Sequence, residues 1–277
     1  MWCLGRNAQR VKRRDVQILC GSGCGSWLAA AVTDSPPYLQ PFVLDVPRVD
    51  RERQGNLDVY RPVKISDGAG CPVVILVHGG PVPAELRPTP RDWPGFIGYA
   101  SAVTQHGSVA VLVDHRLHDI AAYPIAAADV RTAVRRARAL EGVNAQRVGL
   151  WFFSGGGLLV TDWLADPPSW LRCVSLTYPL LAPLSGWGVP GGFEPIQALP
   201  GADGLPLLLT RVGREQPLIA DTVAAFIAAA QAQHTSLEII DVANGQHGFD
   251  TLDHTDESRR AVWQALSWVT SALQPTL

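Results

Sequence analysis

A serine, an acidic residue and a histidine follow three separate apolar segments of this 277-residue chain, in the order Ser154, Glu215 and His247. A serine hydroxyl is a weak nucleophile unless an adjacent base takes its proton. An imidazole can be that base, and a carboxylate can hold it in the required tautomer and stabilise its protonated form. These three side chains therefore predict nucleophilic catalysis through an acyl-enzyme. Asp221 and Asp250 are alternatives to Glu215 as the acid.

Glycine-rich segments are candidates for the hydrogen-bond donors that acyl transfer needs. Preorganised N–H groups stabilise the oxyanion of a tetrahedral intermediate, and each contributes about 3 kcal/mol. Gly155 directly follows the candidate nucleophile, and its amide is one expected donor. The segment His78-Gly79-Gly80-Pro81 is expected to supply the other. Because proline has no N–H, this donor is Gly80 or Gly79; Gly80 is favoured, and Gly79 is expected to contact the substrate.

Eight short apolar segments indicate the strands that must position these residues. Near-continuous apolar runs of this length are typical of strands buried on both faces of a parallel sheet. Between them, apolar residues recur three and four apart, which predicts helices over Val130–Leu140, Ile219–Ala230 and Val262–Leu273. The alternation predicts an α/β fold with helices on both faces of a sheet that opens with an antiparallel pair. The predicted strands are Phe42–Val46, Leu57–Tyr60, Val73–Val77, Val109–Val113, Val148–Phe153, Cys173–Thr177, Pro206–Thr210 and Leu237–Val242.

Four segments at the ends of these strands resemble the α/β-hydrolase superfamily, most closely its dienelactone-hydrolase-like and prolyl-oligopeptidase-like esterase branches. They read V-V-I-L-V-H-G-G-P, V-D-H-R-L, V-G-L-W-F-F-S-G-G-G and N-G-Q-H-G-F-D. The resemblance covers residues 55–275 and includes the chain order serine, acid, histidine. It implies an α/β-hydrolase fold with a mostly parallel eight-stranded sheet, and it places Glu215 at the acid position. It also implies a serine hydrolase that cleaves a small carboxylic ester without a cofactor.

The turn at the candidate nucleophile departs from the pattern of this superfamily. The usual sequence is G-x-S-x-G, whereas this chain reads F-F-S-G-G, with Phe152 in place of the first glycine. A side chain at that position crowds the tight turn between strand and helix. Phe152 must therefore point away from the turn, or the turn must open.

A stretch rich in glycine and proline, Pro179–Pro200, lies where this superfamily often inserts a lid. Because the stretch is short, the lid is predicted to be short or absent, and the cleft open and suited to compact substrates. Trp187 belongs to this stretch and is expected to bind the substrate.

Polar residues near the third and fourth predicted strands have structural interpretations. His78 is expected to shape the glycine loop by hydrogen bonding. The group Asp114, His115, Arg116 and His118 is expected to anchor its loop through an ion pair, with a substrate-facing Arg116 as the alternative. The spacing of these histidines matches no known ligand set, so no metal is expected.

Composition and charge exclude several classes of protein. Hydrophobic residues make up 47% and charged residues 17% of the chain, which excludes a disordered chain and indicates a large core. The 23 basic and 25 acidic residues leave no positive excess for phosphates, which argues against nucleic-acid binding. No apolar run reaches the roughly 18 residues of a membrane span. Five irregularly spaced cysteines do not indicate a disulfide framework.

The N-terminal region, residues 1–39, is predicted to be a poorly ordered extension that precedes a hydrolase domain of residues 40–277. Basic residues between positions 6 and 14 precede a weakly apolar stretch, as in an export signal. Polar residues and glycines interrupt that stretch, however, and a secretory core needs about 7–15 continuous apolar residues. The expected location is therefore cytoplasmic, with export as the alternative.

Two other functions are compatible with the same residues. A prolyl-type peptidase is suggested by the HGGP segment, although the chain contains no propeller or large cap that would select peptides. A hydrolase fold that binds a small molecule or a partner without catalysis is suggested by Phe152.

Overall fold

The computed structural model describes residues 35–63 and 70–274, and Ser35–Leu277 forms one compact unit. Within this unit, Pro37–Leu39 forms a short 3-10 helix, and the Tyr38 ring lies 4.6 Å from the Trp93 ring. Residues 1–34 lie outside the described residues. They include most of the predicted extension and the possible export signal. The division of the chain at residue 40 stays a prediction.

One mixed sheet forms the centre of the fold. Its strands are β1 (Arg51–Gln54), β2 (Leu57–Tyr60), β3 (Cys71–Val77), β4 (Val109–Val113), β5 (Val143–Phe153), β6 (Leu171–Thr177), β7 (Leu207–Arg214) and β8 (Leu237–Gln246). Their order in space is β1-β2-β4-β3-β5-β6-β7-β8. The pairs β1–β2 and β2–β4 are antiparallel, and all the other neighbouring pairs are parallel. The predicted α/β architecture, with its antiparallel opening, is confirmed.

Helices cover both faces of the sheet. In the described part of the chain they are α1 (Pro94–Gln105), α2 (Tyr123–Arg138), α3 (Thr161–Ala165), α4 (Pro195–Ala198), α5 (Pro217–Ala232), α6 (Phe249–Leu252) and α7 (Asp256–Ala272). Alternate side chains of β3 enter two separate cores, as strand geometry requires. Val73, Ile75 and Val77 pack on the face that carries α2, α3 and α5. Val74 and Leu76 pack on the face that carries α1 and α7. None of these helices is both long and apolar enough to cross a membrane.

The first predicted strand is wrong. Phe42–Val46 is not a strand, and the first strand of the sheet is Arg51–Gln54. The strand Arg51–Gln54 lies at the edge of the sheet, and its side chains are polar. One of them, Arg53, donates two hydrogen bonds of 2.8 Å to the fully buried Asp58. The apolar Phe42–Val46 run instead packs on α1, with the Phe42 ring 4.8 Å from the Tyr99 ring. Its apolar residues are buried by a helix and not by pairing with a strand.

Candidate active site

The side chains of Ser154, Glu215 and His247 converge at the carboxyl end of the sheet. Ser154 Oγ lies 2.7 Å from His247 Nε2, and His247 Nδ1 lies 2.7 Å from Glu215 Oε2. With the proton on Nδ1, the imidazole donates to Glu215 and accepts from the serine hydroxyl. The Glu215 side chain is 4% exposed and the His247 side chain 28% exposed. The carboxylate is therefore shielded, whereas the imidazole is accessible from the solvent.

The backbone at Ser154 makes the sharp turn that brings its hydroxyl out of the sheet. Its φ is +52°, in the left-handed region that L-residues other than glycine rarely adopt. A 3-10 helix, Ser154–Val160, follows at once and leads into α3. Phe152 is fully buried in the core on the α2 side of the sheet. It therefore points away from the turn, the first of the two outcomes expected for this position.

Glycines after the serine allow two loops to meet with no side chain between them. A Cβ built on Gly155 would lie 2.0 Å from the Gly80 carbonyl oxygen, and one built on Gly156 would lie 2.5 Å from the His78 carbonyl oxygen. Real Cβ atoms essentially never come within 3.0 Å of other heavy atoms. The glycine run is therefore needed for the loop after β3 to pack against the turn at Ser154.

The loop after β3 also approaches the serine itself. A Cβ on Gly79 would lie 2.7 Å from the Ser154 Cβ and 3.3 Å from its Oγ. A Cβ on Gly80 would instead face the Leu117 side chain, at 3.1 Å. The structure thus brings Gly79, Gly80 and Gly155 together beside the serine hydroxyl, where sequence reasoning expects donors to an oxyanion.

Three hydrogen bonds hold this loop against the loop after β4. The Val82 N–H donates to the Leu117 carbonyl at 2.8 Å. His115 Nε2 donates to the His78 carbonyl and His118 Nδ1 to the Val82 carbonyl, each at 2.9 Å. Two residues of the predicted polar group therefore support the glycine loop through side-chain bonds to its backbone.

Comparisons with known proteins agree with the fold that positions these residues. The model of BD-FAE, an esterase-type α/β-hydrolase family, matches residues 57–161. Esterase 2 of the planctomycete Thermogutta terrifontis, solved with butyrate bound, has a TM-score of 0.63 and 17% identity over 84% of this chain and 98% of that one. This chain has the α/β-hydrolase fold.

Two further solved structures share the fold. A variant of the esterase rPPE has a TM-score of 0.64 and 18% identity over 84% of this chain and 86% of that one. Dipeptidyl peptidase 4 of Porphyromonas gingivalis has a TM-score of 0.63 and 12% identity over 81% of this chain but only 36% of that one. The fold that the resemblance implied is thus confirmed. No curated protein matches the chain.

Within the α/β-hydrolase fold, one of the three candidate acids contacts the histidine. Glu215 follows β7, and its Oε1 also accepts from the Gln216 N–H at 2.8 Å. Asp221 lies on the exposed side of α5. Asp250 is 3% exposed and accepts hydrogen bonds from the Tyr178 hydroxyl. Burial raises the pKa of Asp250 to about 6.

His78 and His115 form a buried neutral pair behind the glycine loop. Their rings stack with centroids 3.7 Å apart. Burial lowers the pKa of His115 to about 4 and that of His78 well below its ordinary value. His78 Nδ1 lies 2.5 Å from the Gly79 carbonyl oxygen, as expected for a residue that shapes this loop. Among residues 35–63 and 70–274, no three His, Cys, Asp or Glu side chains are grouped to hold a metal.

Arg116 and Trp187 are the remaining residues that the sequence suggested for the site. Arg116 pairs with Asp129 of α2, with nitrogen–oxygen distances of 2.7 and 2.9 Å. The ion pair expected in this loop is therefore present, and the guanidinium faces the helix. Trp187 is partly buried and packs against the core on the same face of the sheet. Its contact with a substrate stays a prediction.

Sequence reasoning did not single out Tyr178, which packs against the histidine. Its ring centroid lies 4.8 Å from that of His247. Tyr178 directly follows β6, and the rule that residues after parallel strands face the ligand would have directed attention to it.

Proposed function

We propose that this chain is a serine hydrolase that cleaves a small carboxylic ester through an acyl-enzyme. The observation that carries the proposal is the pair of 2.7 Å contacts from Ser154 to His247 and from His247 to Glu215. A hydroxyl is activated as a nucleophile when it is hydrogen-bonded to a base and a third group orients that base.

In the first half of the reaction, Ser154 Oγ forms a bond to the ester carbonyl carbon while His247 Nε2 takes the hydroxyl proton. The carbonyl oxygen becomes an oxyanion, which the N–H groups of Gly80 and Gly155 would stabilise. Collapse of this intermediate breaks the bond to the alcohol, which leaves with the proton held by His247. The acyl group remains on Ser154.

In the second half, water attacks the acyl carbon and His247 takes its proton. Collapse of the new intermediate breaks the bond between the acyl carbon and Ser154 Oγ, His247 returns its proton to Oγ, and the carboxylic acid leaves. Glu215 keeps the Nδ1 proton in place and stabilises the imidazolium in both halves, without becoming protonated.

A short acyl group is the favoured substrate class. The Thermogutta terrifontis enzyme has been solved with butyrate and with propionate bound, and also phosphonylated by cyclosarin. The short stretch between β6 and β7 favours acyl chains of similar size here. Pocket shape, and not the fold, sets this preference.

The test is a panel of p-nitrophenyl esters from acetate to octanoate, assayed with wild type, Ser154→Ala and the control Gly191→Ala. A Cβ at Gly191 meets nothing within 4 Å, so the control should keep wild-type rates. We expect hydrolysis of the short esters, its loss in Ser154→Ala, and a fluorophosphonate adduct on Ser154 in wild type. Turnover in folded Ser154→Ala, or no adduct in wild type, would contradict the proposal. Faster cleavage of aminoacyl-proline amides than of esters would instead favour the prolyl-type peptidase.

A further inference from the structure

Tyr178 lies between the histidine of the site and a buried carboxylate. Its ring plane is tilted by 53° to the imidazole of His247, with centroids 4.8 Å apart. Its hydroxyl donates to Asp250, at 2.9 Å from Oδ2 and 3.1 Å from Oδ1. Asp250 is only three residues after His247 in the chain. The phenol therefore connects the imidazole to the helix that immediately follows it.

Both ends of this connection are fixed to the rest of the fold. Tyr178 has a φ of +37°, and its N–H donates to the Thr210 carbonyl at 2.8 Å. Bulky residues adopt such a backbone only where the surroundings determine it, often at functional sites. Asp250 lies in α6, and its carbonyl accepts from the Val43 N–H at 2.8 Å. The ring is thus held by its backbone at one end and by its hydroxyl at the other.

The imidazole of His247 needs such support. Its hydrogen bonds to Ser154 and Glu215 are made by the two ring nitrogens and fix where those nitrogens point within the ring plane. They only weakly resist a tilt of the ring about the line that joins the two bonds. Its side chain is 28% exposed, so solvent does not restrain it on the open side. The packed Tyr178 ring is the contact that restrains the plane. An aromatic face close to an imidazolium also stabilises its positive charge.

We propose that Tyr178, anchored by its hydroxyl bond to Asp250, is a positioning residue that holds the His247 imidazole in line between Ser154 and Glu215. The role of His247 as general base rests on the proposed function. The geometric claim, that the phenol orders the imidazole, can be measured without turnover.

The kinetics of two variants distinguish the contribution of the Tyr178 ring to catalysis from that of its hydroxyl. Tyr178→Leu removes the ring and is expected to lower kcat by roughly 10- to 100-fold at nearly unchanged KM, because general acid–base catalysis contributes about 10²- to 10⁴-fold. Tyr178→Phe keeps the ring and loses only the anchor, so kcat should fall about threefold, the factor of one modest hydrogen bond. The control Tyr60→Phe removes the hydroxyl of a tyrosine buried in β2 and should leave kcat unchanged. Wild-type kcat in Tyr178→Leu, or a raised KM at unchanged kcat, would overturn the proposal.

A spectroscopic measurement tests the same claim independently of activity. The His247 Nδ1 proton bonded to Glu215 should give a downfield NMR resonance in wild type that is absent in Glu215→Gln. We expect it to broaden or disappear in Tyr178→Leu and to exchange faster with water in Tyr178→Phe. If Tyr178→Leu does not fold, the exchange rate in Tyr178→Phe decides the matter. Unchanged exchange would refute positioning by Tyr178, whereas absence of a fluorophosphonate adduct in wild type would refute only the proposed function.

Discussion

Gly79 approaches the serine so closely that one added methyl group should disable the site. In Gly79→Ala the new Cβ would lie 2.7 Å from the Ser154 Cβ, 3.1 Å from the Phe153 carbonyl oxygen and 3.3 Å from the Ser154 Oγ. Ordinary van der Waals contact begins at 3.4 Å. Since the nearest atom is bonded directly to the backbone at Ser154, the serine and the glycine loop must separate by several tenths of an ångström or more.

The expected loss follows from this displacement. A misplacement of about 1 Å in a catalytic group can cost about 100-fold in rate, so kcat/KM for p-nitrophenyl butyrate should fall by roughly 10- to 100-fold. Overpacking of this kind costs about 1–3 kcal/mol of unfolding free energy. The φ of Gly79 is not in the left-handed region, so the clash and not backbone strain is the cause.

The assay compares Gly79→Ala with Gly191→Ala, whose added methyl group enters open space. Urea unfolding of both variants shows what fraction is folded, and kcat/KM is then referred to the folded fraction. Gly80→Ala should be intermediate, because its Cβ would lie 3.1 Å from the Leu117 Cδ2 and 3.3 Å from the Leu117 carbonyl oxygen, both longer than the 2.7 Å contact at Gly79. A folded Gly79→Ala with wild-type kcat/KM would refute the claim that this loop is packed against the nucleophile.

Three further outcomes are expected. Glu215→Gln should lower kcat by about 10³- to 10⁴-fold with little loss of stability, because an amide can donate to Nδ1 and favour the wrong tautomer of His247; activity close to wild type in a pH-controlled kcat assay would exclude Glu215 as the acid. Burial raises the pKa of Asp250 from 3.8 to about 6, so between those values the folded protein retains a proton that the unfolded chain releases. The stability from this group is present at low pH and declines by about 3 kcal/mol as pH rises through 6; urea titrations from pH 4 to 7 should show no such decline in Asp250→Asn, and parallel curves for the two proteins would contradict this. Arg116→Ala should leave kcat/KM unchanged and barely change the urea midpoint of unfolding, because the arginine of the Arg116–Asp129 pair is largely exposed. A large activity loss would restore the substrate-facing interpretation of Arg116.

The general plan of the site can be predicted from the sequence, because each strand is an apolar run and the residues that follow it are identified from the same local segment. Parallel strands share an edge at their carboxyl ends, so Ser154 and His247, 93 residues apart, could be expected to meet once their strands were recognised. The helices α2, α5 and α7 were equally visible from one-sided apolar spacing. In contrast α1 was not, because its buried residues surround most of the helix and leave no single apolar stripe.

Other features depended on contacts between distant parts of the chain. The polar strand β1 has no apolar pattern, since none of the side chains of this edge strand is buried. Two of them, Arg51 and Arg53, pair with the buried Asp58 of the next strand. The direction of Phe152 into the core could not be read from its own segment, because the packing of the sheet faces determines it.

The sequence by itself determined which types of side chain stand at the strand ends, because apolar runs and the glycines after them are local signals. Only the tertiary structure decided that Glu215, and neither Asp221 nor Asp250, meets His247 Nδ1, and that Tyr178 packs against the same imidazole. The reason is that the direction of a side chain in a loop is set by backbone conformation and by neighbours far away in the chain. Tyr178 illustrates this, since its orientation requires the Thr210 carbonyl and the Asp250 carboxylate together.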